Sequence, residues 1–167
     1  MLKYEFIKIE YDSAFSPKEK RDREHSCAYS LLDKMLKSEG VFEYELIKGQ
    51  NGKPYLKGNP LYFNLSHTEG FCVVCISDSE VGVDCEKIDY NFASKIVGFS
   101  KRYFHESELN LLENNDYSPK TFFEIWTKKE AYIKKYALNA GAIPKIDTTK
   151  ETYETFRVGE YIISILK

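Results

Sequence analysis

Two acidic residues separated by one position are the first in this chain whose types and spacing suggest chemistry. Asp84 and Glu86 alternate with apolar residues, and because side chains alternate faces along a strand, both carboxylates are expected on one face. Gly82 falls on that face as well, where a glycine would leave space for a ligand. Paired carboxylates repel each other unless a cation or hydrogen-bond donors lie between them, and Mg²⁺ prefers oxygen ligands. The segment predicts either a magnesium site or an exposed acidic edge strand.

A second candidate group lies on a helix predicted to begin at Ser118-Pro119 and to end near Leu138. Glu130 and Lys134 are four residues apart, so they share one helix face. They would form either a surface salt bridge of small energy or a metal ligand beside a cation that receives a leaving phosphate. The apolar residues of this helix recur at helical spacing and predict a core-facing stripe, formed by Phe122, Trp126, Ile133 and Ala137.

A third group follows the strand predicted from Tyr62 to Leu65. Ser66 and His67 come directly after it, and with nearby backbone N–H groups they could bind a phosphate. The alternative is strand-end capping next to an ordinary surface histidine. The glycine-rich phosphate loops G-x-x-x-x-G-K-[ST] and G-x-G-x-x-G do not occur in the sequence.

The elements that must position these groups follow an α+β pattern. A capping box at Ser16–Glu19 predicts a helix start, after a strand at Tyr4–Tyr11. The buried stripe of this helix is predicted to consist of Ala28, Leu31, Leu32, Met35 and Leu36. A strand at Phe42–Lys48, a hairpin of Phe71–Ser77 with Glu80–Ile88 and a closing hairpin of Glu154–Val158 with Tyr161–Ile165 are also predicted. We expect two similar strand-helix-strand halves, residues 1–80 and 81–167, together in one compact unit.

The composition and the net charge argue against a disordered chain and against a nucleic-acid binder. Hydrophobic residues make up 43% of the 167 residues and aromatic residues 15%, which argues against disorder. The net charge of -2 gives no sign of a nucleic-acid binder, although Lys128-Lys129 and Lys134-Lys135 could face an acidic partner or lie on solvated helix faces. Cys72 and Cys75 sit in an apolar run that predicts a buried strand. We expect no signal peptide, no membrane partner and a cytoplasmic location with reduced thiols.

Four segments together resemble the 4′-phosphopantetheinyl transferase superfamily. In order they are Gly52-Lys53-Pro54, Asn64-Leu65-Ser66-His67, Gly82-Val83-Asp84-Cys85-Glu86 and Trp126-Thr127-Lys128-Lys129-Glu130-Ala131-Tyr132-Ile133-Lys134. The aspartate segment lies in the middle of the chain. This resembles the monomeric, pseudo-twofold type that activates surfactin synthetase, and differs from the short trimeric holo-acyl-carrier-protein synthases.

The resemblance implies an activity and a set of roles for the acidic residues. The chain would transfer the 4′-phosphopantetheine group of coenzyme A to a serine of an apo acyl or peptidyl carrier protein and release 3′,5′-ADP. Asp84, Glu86 and Glu130 would hold Mg²⁺, which also binds the coenzyme A pyrophosphate. Either Glu86 or Glu130 would help to deprotonate the acceptor serine.

The resemblance also implies roles for the basic and polar residues. Ser66 and His67 would contact the 3′-phosphate of coenzyme A, with Lys53 close to that end of the ligand. Lys134 would stabilise or protonate the departing 3′,5′-ADP. Two alternatives remain: a non-catalytic module of the same fold that binds coenzyme A or a carrier protein, and a plain α+β interaction domain.

Overall fold

The computed structural model of the chain describes residues 1–58 and 60–167, and this part is mixed α+β. Its helices are α1 (Pro17–Ser38), α2 (Ile96–Tyr103), α3 (Glu106–Glu113) and α4 (Pro119–Tyr136). Its strands are β1 (Leu2–Lys8), β2 (Leu46–Lys48), β3 (Pro54–Leu56), β4 (Tyr62–Thr68), β5 (Phe71–Ser77), β6 (Gly82–Lys87), β7 (Glu154–Val158) and β8 (Tyr161–Leu166). The α+β prediction is confirmed. No helix of the described ranges is both long and apolar enough to cross a membrane.

The strands form three small antiparallel sheets, with the orders β1-β5-β4, β2-β3 and β6-β8-β7. The predicted closing hairpin is present as β7 and β8. The predicted hairpin of β5 with β6 is wrong, because β5 pairs with β1 on one side and β4 on the other. A strand whose two edges are both hydrogen-bonded has no edge left for a third partner, and β6 pairs with β8 instead. The predicted strand at Phe42–Lys48 is reduced to β2.

Helix α1 begins and packs as the sequence predicts. The Ser16 hydroxyl accepts a hydrogen bond from the Glu19 N–H, and the Glu19 carboxylate accepts one from the Ser16 N–H. The buried stripe of α1 packs on one face of the first sheet, and it consists of Ala28, Leu31, Leu32, Met35 and Leu36. This packing gives the first sheet a core on its α1 side.

Strand β5 is buried along its whole length and separates two cores. Cys72 belongs to the core against α1, whereas Cys75 belongs to the core formed with β6 and β8. Residues three apart on a strand point to opposite faces, so this placement confirms the prediction that Cys72 and Cys75 lie on a buried strand. Burial raises the pKa of the Cys72 thiol to about 11 and that of the Cys75 thiol to about 12.

Helix α4 packs along β6 and β8 and carries most of its predicted stripe into the interior. Phe122, Ile133 and Ala137 are buried, and Trp126 is partly buried. Lys129 is also completely buried, where it forms an ion pair with Glu108 of α3 at 2.6 Å. The prediction of a solvated or partner-facing Lys128-Lys129 pair is therefore wrong for Lys129.

Candidate active site

The candidate site begins where β6 lies against α4. A β-carbon placed on Gly82 would meet the carbonyl oxygen of Ala131 at 2.0 Å and the amide nitrogen of Lys135 at 2.5 Å. The expectation that Gly82 leaves space for a ligand is wrong, because the backbone of α4 fills that space. Gly82 instead lets the helix approach the strand closely, which brings the side chains of α4 next to those of β6.

Replacing Gly82 by alanine is expected to separate β6 from α4. The added methyl group overlaps backbone atoms that cannot rotate away, so the protein should lose roughly 1–3 kcal/mol of stability, as overpacked cores do. Urea unfolding measures this loss. The matched control is Gly98→Ala on α2, where a β-carbon meets no atom within 4 Å; equal stability of the two variants would contradict the close contact.

Asp84 occupies the centre of the β6–α4 contact and is 4% exposed. Its Oδ1 accepts hydrogen bonds from the Ser66 hydroxyl at 2.8 Å and from the Lys134 ammonium at 2.7 Å, and Lys134 also donates to the Ser66 hydroxyl at 2.8 Å. Its other oxygen, Oδ2, is buried and has no hydrogen-bond partner in the described part of the chain. A buried carboxylate oxygen without a partner is costly, and a bound cation would satisfy it.

A side-chain bond between sheets brings β4 next to this aspartate. The Val83 N–H donates to Asn64 Oδ1 at 3.0 Å, so β4 and β6 are joined although they share no ladder. Asn64 and Ser66 are two residues apart on β4 and therefore point to the same face. That face looks toward β6, which explains how Ser66 reaches Asp84.

Glu86 and Glu130 complete the cluster of negative charge. Burial and the nearby Asp84 raise the pKa of Glu86 to about 7, with a smaller contribution from Glu130. Burial and Asp84 also raise the pKa of Glu130. Burial alone would lower the pKa of Lys134, but Asp84 outweighs it and the pKa of this lysine is raised. The negative charge of Asp84 thus makes ionisation of both glutamates more costly, which a divalent cation would relieve.

The three carboxylates are neighbours, but their side chains do not already form a metal-binding site. Across residues 1–58 and 60–167, no three histidine, cysteine, aspartate or glutamate side chains converge closely enough to hold an ion as they stand. The positive charge in contact with Asp84 is the Lys134 ammonium, 2.7 Å from Oδ1. The unpartnered Oδ2 and the oxygen-only donor set fit Mg²⁺.

Ser66 and His67 are placed apart by the strand that carries them. β4 continues to Thr68, beyond its predicted end, so these consecutive residues point to opposite faces of the sheet. His67 faces α1, where its Nδ1 lies 3.2 Å from Glu24 Oε2. Ser66 faces Asp84. The structure therefore does not bring the two side chains together as one phosphate-binding pair.

The environment of His67 contains two residues that sequence analysis missed. Glu24 is 7% exposed, and its carboxylate accepts a hydrogen bond from the Tyr11 hydroxyl. Tyr11 in turn accepts one from the Gly70 N–H at 2.6 Å. A signal for Glu24 existed, because it lies four residues before Ala28 and so shares the buried stripe of α1.

Lys53 lies close to the site, but its ammonium points into the protein. Nζ is 2.5 Å from Glu80 Oε2, 2.7 Å from the carbonyl oxygen of Lys135 and 3.3 Å from that of Val81. The side chain is 5% exposed. Its predicted position near the ligand stays a prediction, whereas these contacts describe what it binds in the folded chain.

A pocket of about 270 Å³ opens beside Lys134. Its walls come from α1, the loop before β3, β4 and the end of α4, and they include Tyr29, Asn51, Lys53, Leu65, Ile133 and Lys134. The walls are mostly apolar, and they also include the two lysines Lys53 and Lys134. This arrangement suits a ligand that has both an apolar part and a phosphate.

Residues 80–159 match the family model described as the 4′-phosphopantetheinyl transferase superfamily. This region, just under half of the chain, contains both Asp84 on β6 and the Glu130–Lys134 part of α4. Gly82–Glu86 and Trp126–Lys134 are the two signature segments of the resemblance, and the resemblance is confirmed over these residues.

Three curated proteins illustrate the similarity. The chain is 37% identical over 90 residues to the 4′-phosphopantetheinyl transferase gsp of Aneurinibacillus migulanus, covering 52% of this chain and 35% of that protein. It is 35% identical over 111 residues to the 4′-phosphopantetheinyl transferase AcpT of Salmonella typhi, covering 63% and 56%. It is 34% identical over 100 residues to a 4′-phosphopantetheinyl transferase of Bacillus subtilis, covering 58% and 39%. The chain thus spans between a third and a little over half of the length of these relatives.

Proposed function

We propose that this chain transfers the 4′-phosphopantetheine group of coenzyme A to a serine of an apo acyl or peptidyl carrier protein and releases 3′,5′-ADP. The observation that carries the proposal is the contact between the two signature segments. Asp84 from β6 and Lys134 from α4 meet at 2.7 Å, and the second oxygen of Asp84 is buried without a partner. The names of the similar proteins support the same activity.

The donor set supports Mg²⁺ as the metal of this site. Asp84, Glu86 and Glu130 would hold it, and all three offer the carboxylate oxygens that this ion prefers. When bound, the ion supplies positive charge that neutralises a pyrophosphate under nucleophilic attack. The Glu86 carboxylate would bind the metal, accept a proton, or do both.

The residues of the chain have distinct tasks in this proposal. Lys134 would stabilise or protonate the phosphate of the departing 3′,5′-ADP, because an ammonium next to a bound pyrophosphate neutralises the negative charge that develops there. Glu86 or Glu130 accepts the proton of the acceptor serine. Burial and Asp84 raise the pKa values of both glutamates, which makes each a better proton acceptor than an ordinary carboxylate. Ser66 orients Asp84 and Lys134 by hydrogen-bonding both.

The pocket beside Lys134 supports a binding mode for coenzyme A. Its apolar walls would contact the uncharged parts of the ligand while Lys134 faces a phosphate. We propose that Ser66 and His67 lie near the 3′-phosphate end, as the resemblance implies. Because they point to opposite faces of β4, they would have to reach the ligand from different sides.

The architecture supports the monomeric, pseudo-twofold type with two similar halves. The β1-β5-β4 sheet and α1 come from residues 1–80, and the β6-β8-β7 sheet and α4 come from residues 81–167. Each half therefore contributes a three-stranded antiparallel sheet with a long helix packed on it. On this proposal the site lies between the halves and needs no second copy of the chain.

A transfer assay tests the proposed function. The chain is incubated with coenzyme A, Mg²⁺ and a panel of apo carrier proteins from fatty acid, polyketide and peptide synthesis, and the intact mass of each carrier is measured. We expect one carrier or more to gain a single phosphopantetheinyl group, and to gain none when EDTA replaces Mg²⁺. No gain on any carrier, together with tight binding of coenzyme A by calorimetry, would support the non-catalytic binding module instead.

A further inference from the structure

The Lys53 ammonium uses its whole hydrogen-bonding capacity inside the protein. A lysine ammonium has three N–H donors, and Nζ has three acceptors: Glu80 Oε2 at 2.5 Å, Lys135 O at 2.7 Å and Val81 O at 3.3 Å. The side chain is buried. A ligand phosphate could bind this ammonium only by displacing one of these partners.

Two of the three partners belong to the elements that meet in the candidate active site. Lys135 is in the last turn of α4, and Val81 directly precedes β6. The last carbonyl groups of a helix have no partner within the helix, and a cation near them also interacts favourably with the helix dipole. Lys53 therefore binds the end of α4 and the start of β6 at once.

Asn51 binds the same end of α4 without any charge. Its Nδ2 donates to the carbonyl oxygen of Ala137 at 2.6 Å. Asn51 has a φ of 51°, a left-handed conformation that asparagine tolerates better than most residues. Two residues of one loop thus satisfy two terminal carbonyl groups of α4, on either side of Tyr136.

Lys134 lies in the last turn of α4, at the end of the helix that Lys53 and Asn51 bind. It precedes Lys135 directly, and its own ammonium is held at Asp84 and Ser66. At Gly82 the backbone of α4 packs directly against β6, beside Lys135. A shift of the last turn of α4 would therefore move Lys134 away from Asp84.

We propose that Lys53 and Asn51 are positioning residues, which fix the last turn of α4 against β6 and thereby hold Lys134 at Asp84, and that Lys53 binds no phosphate of the ligand. The effect on reaction rate rests on the proposed transferase function. The effect on the end of the helix does not, so the two can be tested separately.

Amide hydrogen exchange tests the structural part in the full chain. The N–H groups of Ala137 and Leu138 both bond to the carbonyl oxygen of Ile133. We expect them to exchange about fivefold faster in Lys53→Met and in Asn51→Gly, the factor expected for loss of one hydrogen bond. Asn51→Gly keeps the left-handed backbone accessible. Unchanged exchange at these amides in both variants would overturn the proposal.

Lys57→Met is the matched control for that experiment. Lys57 follows β3 and forms an exposed ion pair with Glu45, with side chains 60% and 63% exposed. Its loss removes the same charge from the same region without touching α4. We expect wild-type exchange at Ala137 and Leu138 in this variant, and faster exchange there would show that loss of a nearby charge is sufficient, against the proposal.

Comparing coenzyme A with 3′-dephospho-coenzyme A tests the role in catalysis. A positioning residue should lower kcat by about tenfold in Lys53→Met, since small misplacements of catalytic groups are costly, and by a similar factor with both substrates. Asn51→Gly should act in the same direction. If Lys53→Met alone abolishes the preference for coenzyme A, then Lys53 binds the 3′-phosphate and the proposal is wrong.

Absence of turnover in the wild type would refute the proposed function only, and hydrogen exchange would still decide the role of Lys53.

Discussion

Replacing Asp84 by asparagine is expected to lower the rate of phosphopantetheinyl transfer on the order of a thousandfold, the cost of removing one central electrostatic group from an active site. Asparagine keeps the shape of the side chain and can still accept from Lys134 and Ser66. It lacks the negative charge, and an amide nitrogen can take the place of the unpartnered Oδ2. Both changes weaken binding of a divalent cation. Intact-mass measurement of the carrier over time gives the rate.

A control carboxylate on α4 separates this effect from a general loss of charge. Glu124 is 38% exposed and pairs with Lys128 at 2.9 Å, and since it lies six residues before Glu130 it does not share the helix face of that residue. We expect Glu124→Gln to keep a rate within about twofold of the wild type, as neutral surface changes do. A rate for Asp84→Asn within tenfold of the wild type, in a variant whose thermal melting shows a folded protein, would contradict the role assigned to this aspartate.

Replacing Lys129 by alanine is expected to destabilise the protein by about 3–5 kcal/mol, because it leaves a buried carboxylate without its cation. Lys129 and Glu108 are both 0% exposed, and Nζ also donates to the carbonyl oxygens of Ile146 at 2.6 Å and Ile143 at 3.2 Å. Glu108 further accepts from the Thr148 N–H at 2.9 Å. The pair therefore joins α3, α4 and the segment before β7. Urea unfolding measures the change.

The neighbouring lysine provides the comparison for this stability measurement. Lys128 forms a partly exposed pair with Glu124 four residues earlier, an arrangement worth about 0.3–0.5 kcal/mol. We expect Lys128→Ala to change the free energy of unfolding by no more than about 1 kcal/mol. Equal losses in the two variants would mean that the burial of Lys129 contributes nothing special to stability.

Local signals were sufficient to predict the elements that are determined by neighbours in sequence. The capping box at Ser16 and Glu19 and the helical spacing of Ala28, Leu31 and Leu32 predicted α1 and its buried face. The alternation around Gly159 predicted the β7–β8 hairpin. In each case, the interaction that decides the structure lies within a few residues along the chain.

The pairing of strands that are far apart in the sequence could not be predicted from local sequence patterns. The sequence near Asp78 suits a hairpin turn, but β5 is already paired on both edges by β1 and β4. The partner of β6 is β8, about 80 residues later in the chain, and pairing over such distances depends on the whole core. The same limit explains the extension of β4 past Leu65, which separated Ser66 from His67.

The candidate site was partly predictable, and the parts that were missed depend on contacts across the fold. Glu130 and Lys134 were identified by helical spacing and by resemblance, and Lys134 does reach Asp84. The sequence around Lys129 does not indicate that this residue is buried, because its partner Glu108 lies on another helix. Gly82 was expected to admit a ligand, yet its small size serves the approach of α4. Backbone proximity of that kind is visible only once the packing is known.

A crystal structure of the chain with coenzyme A and Mn²⁺, with the ion located by its anomalous scattering, tests whether the three carboxylates hold a divalent cation at the coenzyme A pyrophosphate. Mn²⁺ shares the preference of Mg²⁺ for carboxylate oxygens. We expect one ion bound by Asp84 and by Glu86, Glu130 or both, in contact with the pyrophosphate of coenzyme A, with Lys134 at a phosphate oxygen. An ion bound away from Asp84, or a pyrophosphate that contacts neither the ion nor Lys134, would contradict this expectation.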